Sequence, residues 1–125
     1  MTGWNESELN AINAADEVEV SALKSDGSLR KPVTIWHVRI GEHLYVRSVN
    51  GRTSAWFRAV STLYVGSITA ARITKQVTFV EVNDAGLQDQ IDAAYRKKYA
   101  HYPVAYIDHV NGAEAHTATL QIVPK

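Results

Sequence analysis

Pro32-Val33-Thr34-Ile35-Trp36-His37-Val38-Arg39-Ile40, then Gly41-Glu42, then His43-Leu44-Tyr45-Val46-Arg47-Ser48-Val49 is the stretch whose reading decides the fold. Its first nine residues are rich in β-branched and aromatic side chains, and the single proline stands at the start, where a missing backbone donor is tolerated. One long strand over Pro32–Ile40 is expected. The glycine-containing pair Gly41-Glu42 joins it to a second apolar run, so the two strands should form an antiparallel hairpin. That hairpin ends on Arg47 and Ser48, a guanidinium and a hydroxyl, the donor types that take an anion. Neighbours on a strand point to opposite faces, so both reach one anion only at a strand end or through the backbone. A solvated strand edge, with an arginine pairing to Glu42 or Asp26, is the plainer alternative.

Working outward, Asn5 reads as an N-cap with Glu8 at the third helical position and Trp4 and Leu9 as a staple, opening a helix over Glu6–Ala14. Glu17–Ala22 alternates polar and apolar as a half-buried strand does, and Ser25-Asp26-Gly27-Ser28 supplies a turn. Downstream, Asn50-Gly51 breaks the hairpin strand and Ser54 caps a short helix through Trp56, Phe57 and Ala59. Strands Tyr64–Ala70 and Ile73–Val82 flank a bend at Ala71-Arg72. Asn83-Asp84 then caps a helix running to about Tyr99, with Leu87, Ile91, Ala94 and Tyr95 as its apolar stripe. Pro103 ends that region, Asn111-Gly112 reads as a loop or turn, and Thr117–Val123 alternates as a closing strand. Strands gathered centrally with helices at the edges indicate an α+β fold, an antiparallel sheet or small barrel with peripheral helices. No glycine fingerprint follows any strand, which argues against a Rossmann domain.

A length of 125 residues suits one domain, 1–125, with its own core. There is no cysteine, so disulfides, thiolate metal sites and a cysteine nucleophile are excluded. No basic and apolar leader opens the chain and no apolar run approaches the ~20 residues of a membrane span. A cytoplasmic protein with no membrane partner is expected. The five histidines, His37, His43, His101, His109 and His116, show no close ligand pair, so no metal site is expected. Asp108-His109 could form an acid/base dyad, but side chains adjacent in sequence rarely face each other.

The net charge is zero, yet it is segregated. Residues 1–23 carry five acids and no base, whereas Lys24–Lys75 carries nine bases against two acids, a local charge of +7. This favours a local anionic ligand over a wholly basic nucleic-acid binder. A nucleic-acid partner would also need exposed aromatics on the basic strands, and Tyr45 and Trp56 are too few. Arg52, Arg58 and Lys75 are the candidate co-ligands beside Arg47. Arg96-Lys97-Lys98 reads as a solvated face complementing a helix C-terminus. Thr34 and Trp36 share one strand face, which either lies under a flat ring or belongs to the barrel core.

The stretch Lys31–Val38, followed by Leu44-Tyr45-Val46-Arg47-Ser48 and Ala55-Trp56-Phe57-Arg58, resembles a family of small bacterial proteins of unknown function grouped with the FMN-binding split β-barrels. The similarity extends through Val77–Val82 and Ala94–Tyr99. More distantly, the order of a proline-led strand, a strand ending in polar residues and a Trp-containing helix is similar to the pyridoxamine-phosphate-oxidase and deazaflavin-dependent nitroreductase groups. The resemblance implies a homodimer with FMN or a deazaflavin at its interface. It would make Arg47 and Ser48 phosphate ligands, with Trp56 and Arg58 neighbours of the same pocket. The function it implies is that of an oxidoreductase acting on a small organic substrate, where the cofactor does the chemistry and the fold supplies orientation and anchoring. The alternative is a non-catalytic module binding a phosphorylated or haem-like ligand.

Overall fold

The computed structural model describes residues 3–125. Seven strands form one antiparallel sheet: β1 (Val18–Ala22), β2 (Val33–Ile35), β3 (His37–Ile40), β4 (His43–Arg47), β5 (Val65–Ala70), β6 (Ile73–Glu81) and β7 (Thr119–Pro124), in the order β2-β1-β5-β6-β7-β4-β3. The two edge strands, β2 and β3, are consecutive in the chain. The long strand expected over Pro32–Ile40 is therefore two strands, broken at Trp36. Its first half pairs with β1 and its second half with β4, so one run of chain crosses from one edge of the sheet to the other. The sheet curls into a nearly closed, split barrel. A break is needed there because a single straight strand cannot keep both ladders as the sheet coils.

The β3–β4 hairpin pairs His37 with Val46 through Ile40 with His43, and Gly41 at φ 59° supplies the left-handed turn position. On β4 the alternation is two-sided: Leu44 and Val46 join the barrel interior, whereas Tyr45 packs with Val38, Ile91 and Tyr95 on the outer face. Gly66 on β5 is required by close approach, since a Cβ there would stand 2.2 Å from the Ser21 carbonyl oxygen on β1.

Five α-helices among the described residues cover the barrel: α1 (Glu6–Ala14), α2 (Ala55–Leu63), α3 (Ala85–Lys98), α4 (Val104–Val110) and α5 (Ala113–His116). Helix α1 starts with the expected capping box, in which the Glu8 amide donates to Asn5 Oδ1 at 2.7 Å and the Asn5 amide donates to Glu8 Oε1 at 3.2 Å. Leu9 and Ile12 of α1 and Phe57 and Val60 of α2 close the interior core with Ile68, Val77 and Leu120. Each such side chain contributes roughly 1.5–3 kcal/mol by leaving water. Between Pro103 and the closing strand the chain forms two short helices, joined at the Asn111-Gly112 turn. Val104, Ile107 and Val110 follow one another at the i, i+3 spacing, and the last two are buried. No described helix is long and apolar enough to cross a membrane.

Candidate functional site

Arg47 ends β4 on the same face as Tyr45, so its side chain runs outward under α3. It is 2 % exposed, and its guanidinium is fully engaged within the protein. Nε donates to Thr119 Oγ1 at 3.0 Å, Nη1 to Asp92 Oδ1 at 2.6 Å and Asn111 Oδ1 at 3.0 Å, and Nη2 to Gln88 Oε1 at 2.6 Å. The Gln88 and Val110 carbonyl oxygens take further bonds, and the Tyr95 ring lies 5.6 Å away. Every donor is spent. The expectation that Arg47 grips a phosphate is therefore corrected: it is an internal strut joining β4 to α3, α4 and β7. Its partners Gln88, Asp92 and Tyr95 are spaced i, i+4, i+7 on α3, a polar extension of the apolar stripe.

Ser48, on the opposite face as strand alternation requires, shares a hydrogen bond with Ser54 and donates to the Gly51 carbonyl at 2.7 Å. It builds the loop rather than an anion site. Four of the nine bases in the basic middle of the chain are likewise consumed by the fold. Arg39 pairs with Glu6 at 3.2 Å, Lys75 with Glu8 at 2.7 Å, Arg52 with Glu81 at 2.8 Å and Arg47 with Asp92 at 2.6 Å. All four acids lie outside the +7 segment, so the segregation along the chain is partly undone in space. Arg52 and the Tyr64 hydroxyl both donate to Glu81 and hold its carboxyl below the usual range. Arg58 is exposed on α2 and has no ion pair among the described residues. Arg47, Ser48, Arg52, Arg58 and Lys75 do not converge on one point.

What the structure does bring together is aromatic. A cleft of about 370 Å³ opens where the chain crosses the barrel seam, lined by Thr34, Ile35 and Trp36, by Arg47 and Val49 at the end of β4, and by Trp56 at the start of α2. Glu17, Tyr102, Tyr106, His109 and Val110 complete it. Thus Thr34, Trp36 and Trp56 line one cleft. Trp36 is fixed by stacking on Tyr99, with ring centroids 3.9 Å apart and planes 5° from parallel, and by Tyr102 at 5.0 Å. The Tyr99 hydroxyl accepts from the His37 amide at 3.1 Å and donates to the Asp16 carbonyl at 2.6 Å, which locks the stack to the backbone around the strand break.

The volume and the aromatic lining suit a flat ring system. Glu17, Thr34 and His109 add a few polar groups. Arg47 is the only cation among the described lining residues, and it is committed elsewhere. The cleft fits a ring better than a phosphate. Asp108 does not orient His109, since no hydrogen bond joins them among the described residues. No group of three described His, Asp or Glu side chains gathers as a metal site.

Tyr102 and Tyr106 were not among the residues singled out from the sequence, and His109 was weighed there only as a metal ligand and as a partner of Asp108. The signal was present in the apolar spacing of α4, which places Ile107 and Val110 inward and leaves Tyr106 and His109 facing the cleft.

Residues 8–122 match the model of a family described as uncharacterized proteins conserved in bacteria, DUF2255. The chain belongs to this family. The DUF2255 chain also matches solved structures over nearly its whole length. The heme storage protein HutZ of Vibrio cholerae superposes with a TM-score of 0.70 at 13% identity, covering 96% of this chain and 89% of that one. A putative pyridoxamine 5'-phosphate oxidase from Listeria innocua gives 0.63 at 10% identity, covering 96% and 90%. An F420-H2 dependent reductase, FDR-A, gives 0.61 at 14% identity, covering 86% and 93%. At these identities the likeness is one of fold, and it confirms the split barrel for DUF2255. No curated protein matches the sequence significantly.

Proposed function

We propose that this chain binds a flavin or deazaflavin in the aromatic cleft and acts as an oxidoreductase on a small organic substrate. The observation that carries the reading is the convergence of Trp36, Trp56, Tyr102 and Tyr106 around one cleft at the barrel seam. It is supported by fold neighbours whose names include an F420-H2 dependent reductase and a putative pyridoxamine 5'-phosphate oxidase. The cofactor supplies hydride or electron transfer, while the protein's residues hold the ring and shield it from water. Trp36 and Trp56 would hold the ring. A phosphate tail finds no uncommitted cation in the cleft lining, so its anchors would come from a second copy of the chain or from the exposed Arg58.

A homodimer is part of this proposal. Val49, Val104 and Tyr106, exposed by 36%, 69% and 60%, lie at or beside the cleft mouth, and a second copy seated on them would complete the site.

A second reading, a non-catalytic haem-like binder, is favoured by one specific observation: the His109 imidazole in the cleft lining. One titration series separates the two. FMN, FAD, F420 and haemin are added separately to the protein, and tryptophan and cofactor fluorescence and the visible spectrum are followed. Micromolar binding of a flavin or F420, weakened about tenfold or more in Trp56→Ala, supports the oxidoreductase reading. Failure of every flavin and deazaflavin removes it. A haemin band shift abolished by His109→Ala establishes the second.

A further inference from the structure

A second cleft, of about 350 Å³, lies between the end of α1, β3 and the last turns of α3 and is lined by Asn13, Val38, Arg39, Ala94, Lys97 and Lys98. Half of these residues are cations. The Arg39 guanidinium is held rigidly: Nε donates to the Gly41 carbonyl at 2.7 Å, Nη1 to Asn10 Oδ1 at 2.7 Å and Nη2 to Glu6 Oε1 at 3.2 Å. Each terminal nitrogen keeps one N–H unused. Lys97 is exposed and has no ion pair among the described residues.

Lys98 departs from the solvated face expected for the run Arg96-Lys97-Lys98. It is half-buried, and its Nζ donates to the His37 carbonyl at 2.9 Å while sitting 5.3 Å from the centre of the Tyr99 ring. His37 Nε2 stands 3.3 Å away but offers no acceptor, because it donates to the Ile12 carbonyl at 2.7 Å. No carboxylate pairs with Lys98 at ion-pair distance among the described residues. Burial without a counter-ion pushes the ammonium down to about 8, with Asp16 opposing. A fraction of this amine is thus unprotonated at neutral pH, in an open cleft beside two further cations.

An amine nucleophile flanked by carboxylate-binding cations suits an electrophilic carbonyl with an acidic tail. We infer that Lys98 is the nucleophile of a second ligand site, which captures a small 2-oxo carboxylate as a protonated imine while Arg39 and Lys97 hold the carboxylate. The Nζ lone pair attacks the carbonyl carbon to form a C–N bond. The carbonyl oxygen leaves as water with both amine hydrogens, and the imine nitrogen then takes one proton from solvent. No oxidant or reductant is needed, and the single N–H of the protonated imine can remain on the His37 carbonyl.

The test is reductive trapping. Wild-type protein is incubated with pyruvate and sodium borohydride, whose hydride reduces the C=N bond to a stable secondary amine, then digested and mapped by mass spectrometry. The expected result is an adduct at Lys98 about tenfold or more above that at Lys24, Lys31, Lys75 or Lys125, since Lys98 sits in the cleft beside Arg39 and Lys97. Sulfate, an anion with no carbonyl, should compete with it in the wild-type protein. Lys98→Arg should lose the adduct, and Arg39→Gln should lower it severalfold while leaving the fold intact. No adduct, an adduct spread over the lysines by exposure, an adduct indifferent to sulfate, or one that survives Lys98→Arg would each overturn the inference.

Discussion

Arg47 shows how a residue chosen for its chemistry can serve another end. A strand-terminal arginine beside a serine carries the same chemistry whether it faces a ligand's anion or a carboxylate of the protein itself; only the partners on α3 decide, and they lie more than forty positions away. Removing one partner of a buried pair leaves the other charged and unsatisfied, so Arg47→Ala should destabilise the fold by about 3–5 kcal/mol. Urea unfolding would measure it. Arg47→Lys should recover only part, because an ammonium cannot fork onto Asp92 and Gln88 together. A stability unchanged in Arg47→Ala would return Arg47 to the ligand role. His37 gives a second test at this scale. Burial, with Lys98 nearby, lowers its imidazole from 6.5 to about 4, and its Nδ1 is buried without a partner. The unfolded chain therefore binds the proton first. Stability present above pH 6.5 should fall as the pH drops towards 4, by about 3 kcal/mol in all. His37→Gln, which removes the titration, should flatten that limb when unfolding is compared at pH 7 and pH 5.

Among the elements, those governed by local rules were legible: the capping box of α1, the Gly41-Glu42 hairpin and the apolar stripe of α3 all stand where spacing puts them. The break at Trp36 was not, because nothing local marks it; the residues on both sides favour strand, and the split follows from which neighbours each half finds as the barrel closes. The same reason hid the cleft, whose lining comes from five separate parts of the chain. One element departs from its ideal chemistry. The β5–β6 turn places Ala71 and Arg72 at φ 51° and 68°, a conformation that favours asparagine and glycine. Replacing the pair by Ala71→Asn with Arg72→Gly should stabilise the protein by about 1 kcal/mol. Thermal unfolding would register this as a higher Tm, and a lower one would mean that the turn's side chains contribute something else.

For the whole molecule, charge that is segregated in sequence is partly paired in space, and the cleft lining keeps no uncommitted cation for a phosphate. If the proposed dimer covers the cleft mouth, sedimentation at micromolar concentration should show a dimer, and Tyr106→Glu should weaken it about tenfold or more. A wild-type monomer under those conditions removes the second copy from the site. The position of β7 carries a further consequence. This strand, the seventh in chain order, lies between β6 and β4 and supplies Leu120 and Ile122 to the interior. During synthesis, β1, β5 and β6 can pair as they emerge, but β4 has no strand to pair with on its far side until Thr119–Pro124 has left the ribosome. The nascent sheet thus waits as two halves tied by the chain through Trp36, and the barrel on which the cleft is built closes only with the arrival of that strand.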